Sequence, residues 1–315
     1  MFEKIIEKLN KAECVGIFTH INPDGDALGS SYSLKNVLKD MGKRAEVYSC
    51  GNIEPCISEL VSACDTPAFP VDECDLLIAL DSADIGRLGK WSEIFAAHNN
   101  TAAIDHHITH RNYADETEVG DISSTCELMY SLYKEMGITL SVETASDLYI
   151  GISTDTGNFK FESVTGDTHR VAAELIETGV AFSDIAKRIF GTVTKEYLRL
   201  QSRAIDALEF YLDGKAAVLR LSDKDFEECG IDEASASSIV SLPVSIEGVE
   251  VGVYIRQRAE NEYKVSLRSV KCVDVAEIAS EFGGGGHIRA AGYSISEDGI
   301  EENIKELMLG IERQL

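Results

Sequence analysis

Positive charge is scarce in this chain. It has 29 lysines and arginines against 54 aspartates and glutamates over 315 residues, a formal net charge of -25. Such a surface repels long polyanions and argues against a duplex nucleic-acid binder, which normally carries a basic face. It does not exclude a small anionic substrate, because bound cations reverse the local field. No apolar run approaches the length of a membrane span. The start, Met1 to Lys8, reads as an amphipathic helix and not as a signal peptide, so a cytoplasmic protein is expected. Zinc-type cysteine spacing is also missing. Cys14, Cys50, Cys56, Cys64, Cys74, Cys126, Cys229 and Cys272 read as reduced, mostly buried thiols. There is no long internal repeat and no low-complexity segment.

What is present is an alternation of apolar runs and helical patterns. Hydrophobic content of 44% and charged content of 26% suit a globular protein large enough for two cores. Val15–Phe18, Ala45–Tyr48, Leu76–Leu80 and Ala102–Ile104 read as strands, separated by helical stretches such as Ala27–Met41 and Trp91–Ala97. This alternation predicts an α/β domain with a mostly parallel sheet flanked by helices. Further helices are expected at Ser124–Met136, Val142–Ile152, Asp167–Glu177 and Thr194–Leu208. After Gly214 the pattern changes. Ala216–Leu219, Val249–Ile255, Tyr263–Leu267 and Ala291–Ile295 read as strands, the middle two exposed on one face, with helices at Val273–Glu281 and Glu301–Gln314. A smaller C-terminal α/β domain with a mixed sheet is expected. The division is residues 1–185, a helical connector 186–210, and 211–315.

The chemistry-bearing residues sit where apolar runs stop. His20-Ile-Asn-Pro-Asp24-Gly-Asp26 follows the first, Asp81 ends another, Asp105-His106-His107 ends a third, and Asp155 follows a long helix. Ligand sites in parallel sheets lie beyond the carboxyl ends of the strands. Oxygen and imidazole donors in this number, without cysteine, suggest two hard divalent cations. Each segment has a structural alternative. Asp26 would cap the helix beginning at Ala27, Asp81 and Asp155 would be turn residues, and the paired histidines would be solvated. The conjunction of all four segments favours a site. His98, His110 and His169 lie outside these segments and read as surface residues.

With these motifs in place the chain resembles the DHH phosphoesterase family. Its pattern is met at His20–Asp26, Asp81-Ser82-Ala83-Asp84, Asp105-His106-His107 and Thr154-Asp155-Thr156-Gly157. Gly283 to His287, followed by Ala290-Ala291-Gly292, is similar to the C-terminal domain associated with that family. The size and glycine run look most like members that degrade very short RNA and dephosphorylate 3'-phosphoadenosine 5'-phosphate (pAp). The resemblance implies two metals, most simply Mn²⁺, with Mg²⁺ or Co²⁺ as substitutes. His20, Asp24 and Asp81 would hold one; Asp26, Asp81, His106 and Asp155 the other, so that Asp81 bridges. His107 would not be a ligand but would contact the scissile phosphate or leaving oxygen. Asp105 would orient an imidazole, and Asp84 would either support the site or be a turn residue.

In the second half the glycine run reads as a turn whose backbone N–H groups suit a phosphate. Gly284, Gly285, Gly286 and His287 are its candidate substrate contacts. Arg268-Ser269 fits the family's Leu-Arg-Ser element, and Arg268 would clamp a terminal phosphate. Arg256, Arg258 and Arg289 are weaker candidates. Such a clamp would select short substrates by length. Rival functions are cleavage of linear or cyclic dinucleotides (pApA, c-di-AMP), an inorganic pyrophosphatase and a non-catalytic nucleotide sensor. The sensor reading expects a missing ligand, and every ligand position is filled. Neither membrane nor long duplex is an expected partner. The oligomeric state stays open, a homodimer included.

Overall fold

The computed structural model describes residues 2–61, 66–259 and 261–315, with the side chains of residues 234 and 237 left aside. Cys64 lies outside the described residues. The chain forms two compact units, Met1–Thr192 and Val193–Leu315.

The first unit is built on five strands: β1 (Cys14–Phe18), β2 (Arg44–Tyr48), β3 (Leu76–Leu80), β4 (Thr101–Asp105) and β5 (Glu116–Val119). Their order is β2-β1-β3-β4-β5, and every pairing is parallel. Every residue of β1, β3 and β4 is buried. Alternation divides their side chains between two cores. Val15, Ile17, Leu76, Ile78, Leu80, Ala102 and Ile104 join one; Phe18, Leu77, Ala79 and Ala103 join the other. In this strand order the connections diverge between β1 and β3, which opens a crevice at their carboxyl ends.

Two helices, Gly25–Asp40 and Val142–Asp155, cross within the larger core at closest approach. A Cβ on Gly29 would lie 2.4 Å from the Asp147 carbonyl oxygen. On Gly151 it would lie 2.2 Å from Cys126 Sγ and 2.9 Å from Asp26 Oδ1. Glycine at these points lets the helices carrying Asp26 and Asp155 meet. The first helix is capped by Asp24, whose carboxylate accepts from the N–H groups of Asp26 and Ala27. The alternative of a cap at Asp26 is therefore not met: the helix starts at Gly25, Asp24 caps it, and the Asp26 side chain is left to point elsewhere.

The second unit holds a mixed sheet of β6 (Leu208–Tyr211), β7 (Ala216–Leu221), β8 (Val251–Ala259), β9 (Glu262–Ser269), β10 (Gly285–His287) and β11 (Ala290–Ser296). The order is β10-β11-β9-β8-β7-β6; β7 and β8 run parallel, the other pairs antiparallel. Residues Val251–Arg256 of β8 are buried throughout, not exposed on one face. Both faces of that strand are covered, by a core containing Ile278 and Ile304 and by one containing Leu200 and Phe226. The glycine run is a turn only at its first residue, Gly283; the rest leads into a strand. Gly285, Gly286 and His287 pair with Gly292, Ala291 and Ala290. A Cβ on Gly284 would lie 2.2 Å from the Gly292 carbonyl oxygen, and on Gly286 2.4 Å from that of Ala290. The ladder, rather than propensity, makes this strand, and only glycine fits the approach.

Seven described cysteines are free thiols; Cys14, Cys74, Cys126 and Cys229 are buried and Cys272 is exposed. Among the described residues no helix is long and apolar enough to cross a membrane. The helix crossing gives a direct expectation. Gly151→Ala lowers unfolding stability by about 1–3 kcal/mol, the usual cost of overpacking. The urea midpoint reads this, and an unchanged midpoint would show that the two helices separate without strain.

Candidate metal centre

The carboxyl edge of β1, β3 and β4 gathers the residues expected there. His20 lies two residues beyond β1, Asp81 directly follows β3, and Asp105 is the last residue of β4. Asp81 takes the left-handed conformation, φ 57°, while its N–H still bonds the Ile104 carbonyl at 3.0 Å. Aspartate is among the few non-glycine residues that enter this region readily, and the chain turns here.

Two imidazoles are held in the same manner. His20 Nδ1 lies 2.9 Å from the Ile21 carbonyl oxygen, and His106 Nδ1 lies 3.2 Å from that of Ile122. A carbonyl only accepts, so Nδ1 carries the hydrogen in each ring and Nε2 turns to the aspartates. His20 Nε2 is 3.6 Å from Asp81 Oδ2 and 3.8 Å from Asp24 Oδ2. His106 Nε2 is 3.5 Å from Asp81 Oδ1, 3.3 Å from Asp155 Oδ2 and 4.0 Å from Asp26 Oδ2. The two oxygens of Asp81 thus face different histidines. Donor atoms of His20, Asp24 and Asp81 lie within ion-sharing distance, as do those of Asp26, His106 and Asp155, and those of Asp81, His106 and His107.

Asp26 is fully buried and accepts from the backbone N–H groups of Thr125 and Cys126 at 2.7 and 2.9 Å. Those groups open the helix Thr125–Glu135, capped by Ser124, so a helix N-terminus faces the carboxylate. Thr125 Oγ1 also donates to Asp81 Oδ1 at 3.1 Å. Thr125 escaped the sequence reading; Ser124 as a helix cap was its only signal.

The electrostatics show a site short of positive charge. Burial, then the charges of Asp81, Asp155 and Asp24, pushes the Asp26 carboxyl well above the usual carboxylate range. Burial and the same kind of repulsion push Asp155 up to about 6, with His106 opposing. Burial works against charge on His20, but Asp24 and Asp81 outweigh it and push that imidazole up to about 10. A bound cation would relieve this repulsion. Carboxylate and imidazole donors without thiolate fit hard or borderline divalent ions.

Asp105 is buried beside this group. Its Oδ1 accepts from His106 N–H at 2.9 Å and from His107 Nδ1 at 2.7 Å. Its Oδ2 accepts from His110 Nδ1 at 2.6 Å. His110 is thus no surface residue: its side chain is 3% exposed, because Asp105 draws it inward. His98 is half-buried, its Nδ1 on the Asn100 carbonyl and its Nε2 on that of Cys74. His169 is exposed and stacks on Phe159. Asp84 turns its carboxylate to the N–H of Gly86 at 2.8 Å, as a turn residue does.

In the second unit the register aligns Arg268 with Ala290 and Ala290 with His287. Arg268 and His287 therefore project from the same face, two strands apart, about 10 Å. His287 is exposed and Arg268 half-buried. Arg256 pairs with Asp223 and Arg258 with Glu233, while Arg289 donates to the Val273 carbonyl. Among the described residues no carboxylate lies within 4.0 Å of Arg268, and burial lowers its basicity. Ser269 Oγ donates to the Val273 carbonyl at 2.7 Å, which engages that hydroxyl.

Residues 14–152 match the DHH family, N-terminal domain, and residues 213–314 match the DHHA1 domain. The "Bifunctional oligoribonuclease and PAP phosphatase NrnA" of Thermus thermophilus is 32% identical over 305 residues, covering 95% of this chain and 89% of that one. The chain belongs to the DHH family. A second relative, "Cyclic-di-AMP phosphodiesterase PdeA" of Listeria monocytogenes, is 25% identical over 97% of this chain and 48% of its own length. The crystal structure of an exopolyphosphatase-related protein from Bacteroides fragilis superposes with a TM-score of 0.90 at 27% identity, covering 99% of this chain and 95% of that one. Family and donor set together imply dependence on divalent cations.

The tautomers make this dependence measurable. Metal binding displaces the proton that His20 holds below about pH 10, so at least one proton leaves at neutral pH. Mn²⁺ affinity therefore rises with pH, roughly tenfold per unit for each proton released. Calorimetry in two buffers of different ionisation enthalpy reads the release; a count of zero would contradict the ligand orientation.

Proposed function

We propose that the protein hydrolyses very short RNA oligonucleotides to nucleoside 5'-monophosphates and pAp to AMP, in the cytoplasm, with two divalent ions, Mn²⁺ first and Mg²⁺ or Co²⁺ as substitutes. The observation that carries this reading is Asp81, whose two oxygens face two imidazoles fixed with Nε2 forward. The name borne by the Thermus relative supports the substrate class. His20, Asp24 and Asp81 would hold one cation, and Asp26, Asp81, His106 and Asp155 the other. Bound there, such ions neutralise phosphate oxygens and acidify a water.

The protein's own residues supply the rest. Thr125 and the helix N-terminus hold Asp81 and Asp26 at fixed angles. Asp105 accepts from Nδ1 of His107 and raises its basicity, which leaves Nε2 to meet the scissile phosphate or leaving oxygen. Residues 1–185 carry this chemistry, and 211–315 bind substrate. There Arg268, with no carboxylate partner among the described residues, receives a terminal phosphate, and Gly284–His287 present backbone and imidazole beside it. Ser269, the last residue of β9, closes the turn that follows Arg268 through its bond to the Val273 carbonyl. Cleavage of pApA or c-di-AMP is the second reading, supported by the Listeria relative.

A panel with Mn²⁺ decides between them: an RNA dinucleotide, a long RNA, pAp, pApA, c-di-AMP and pyrophosphate. The dinucleotide and pAp are expected to turn over fastest. Binding of all of these without turnover would replace the enzyme by a sensor. Asp81→Ala is expected to lose at least roughly a thousandfold in kcat/KM, since both ions depend on it. Retention of a tenth of the activity would remove Asp81 as the bridge. Arg268→Ala is expected to raise KM about tenfold or more for substrates with a terminal phosphate and to spare those without. An equal loss on all substrates would dispose of the clamp.

A further inference from the structure

His110 is a buried polar group outside the proposed ligand set. Its Nδ1 donates to Asp105 Oδ2 at 2.6 Å, and its Nε2 is buried without a partner among the described residues. A buried unpaired nitrogen costs stability that an apolar ring of the same size would avoid. Packing alone therefore does not account for histidine here; the Nδ1 bond does. The ring lies 5.3 Å from that of Tyr113, whose hydroxyl donates to the Ser82 carbonyl at 2.9 Å. Ser82 follows Asp81. At the other end, His107 Nδ1 is 3.6 Å from Asp81 Oδ1. A chain of contacts thus leaves the neighbour of Asp81, passes through Tyr113, His110 and Asp105, and returns to Asp81 through His107.

We propose that His110 is a positioning residue for His107, acting through the two oxygens of Asp105. On the Oδ1 side Asp105 is held by the N–H groups of His106 and His107 and by Nδ1 of His107. All three donors converge on one oxygen, so a pivot of the carboxylate about its Cβ–Cγ bond is opposed from that side alone. The His110 bond to Oδ2 stops the pivot and fixes the plane against which His107 aligns. His110 donates from Nδ1, the atom whose place an asparagine amide can take; a glutamine amide reaches instead toward the place of Nε2.

The proposal rests on the phosphoesterase reading for its kinetic arm only. Its test uses the full chain with Mg²⁺ and four forms: wild type, His110→Phe, His110→Asn and His110→Gln. With pAp as substrate, His110→Phe is expected to lower kcat roughly 10–100-fold while KM and Mg²⁺ affinity stay within about threefold. His110→Asn is expected to recover most of the loss, and His110→Gln little. The second arm records long-range ¹H–¹⁵N correlations of the His107 ring, which report its tautomer without turnover. Wild type and His110→Asn should show one Nδ1-protonated pattern, and His110→Phe an exchange-averaged one. An unchanged His107 spectrum in His110→Phe, or equal kinetics for the asparagine and glutamine forms, would overturn the proposal. Should His110→Phe fail to fold, the asparagine and glutamine pair decides by the same readings. If wild type turns over no substrate, the phosphoesterase reading fails, and the ring spectra still decide the role of His110.

Discussion

Negative charge is concentrated where the sheet ends. Asp24, Asp26, Asp81 and Asp155 converge beyond β1 and β3, and burial denies two of them, Asp26 and Asp81, the water that would screen their repulsion. Such an arrangement persists only if positive charge is supplied. The fold supplies part of it as a helix N-terminus against Asp26 and as the hydroxyl of Thr125 against Asp81. The repulsion that remains pushes the Asp26 and Asp155 carboxyls up and raises the basicity of His20, and bound divalent cations would offset it. The helix crossing at Gly29 and Gly151 belongs to the same constraint. Larger residues there would push Asp26 away from Asp155 and open the cluster.

The histidines divide by what holds their Nδ1. His20 and His106 are pinned by backbone carbonyls, which leave Nε2 a lone pair for a metal. His107 is pinned by a carboxylate, which raises its basicity and suits it to an anion. Neighbours in sequence thus receive opposite chemical characters from their acceptors. The second unit uses a related contrast. Its other sheet arginines, Arg220, Arg256 and Arg258, pair with Glu301, Asp223 and Glu233, whereas among the described residues no carboxylate lies within 4.0 Å of Arg268.

Much of this was legible before any coordinates. The apolar runs of β1, β3 and β4 are unambiguous because central parallel strands are buried on both faces. The residues that stop them carry the donor set. What escaped was decided by pairing partners. The strand Glu116–Val119 is polar and lies at a sheet edge, where periodicity is weak. The glycine strand exists because Ala290–Gly292 lies alongside it. His110 reads as a surface residue until the last residue of β4 is seen to face it. β8 is buried on both faces because helices arrive from distant parts of the chain, which local alternation does not register.

The candidate ligands are spread from His20 to Asp155, and among the described residues no short segment contains a complete candidate set. A nascent or unfolded chain therefore presents only partial sets, such as His20 with Asp24 and Asp26, each a poor chelator. Metal bound by such a set would read out a finished fold, because it would favour the native state over the unfolded one. The cell's free divalent-ion level then acts as a thermodynamic rudder on this protein, shifting the whole population toward the folded form as the ion becomes abundant.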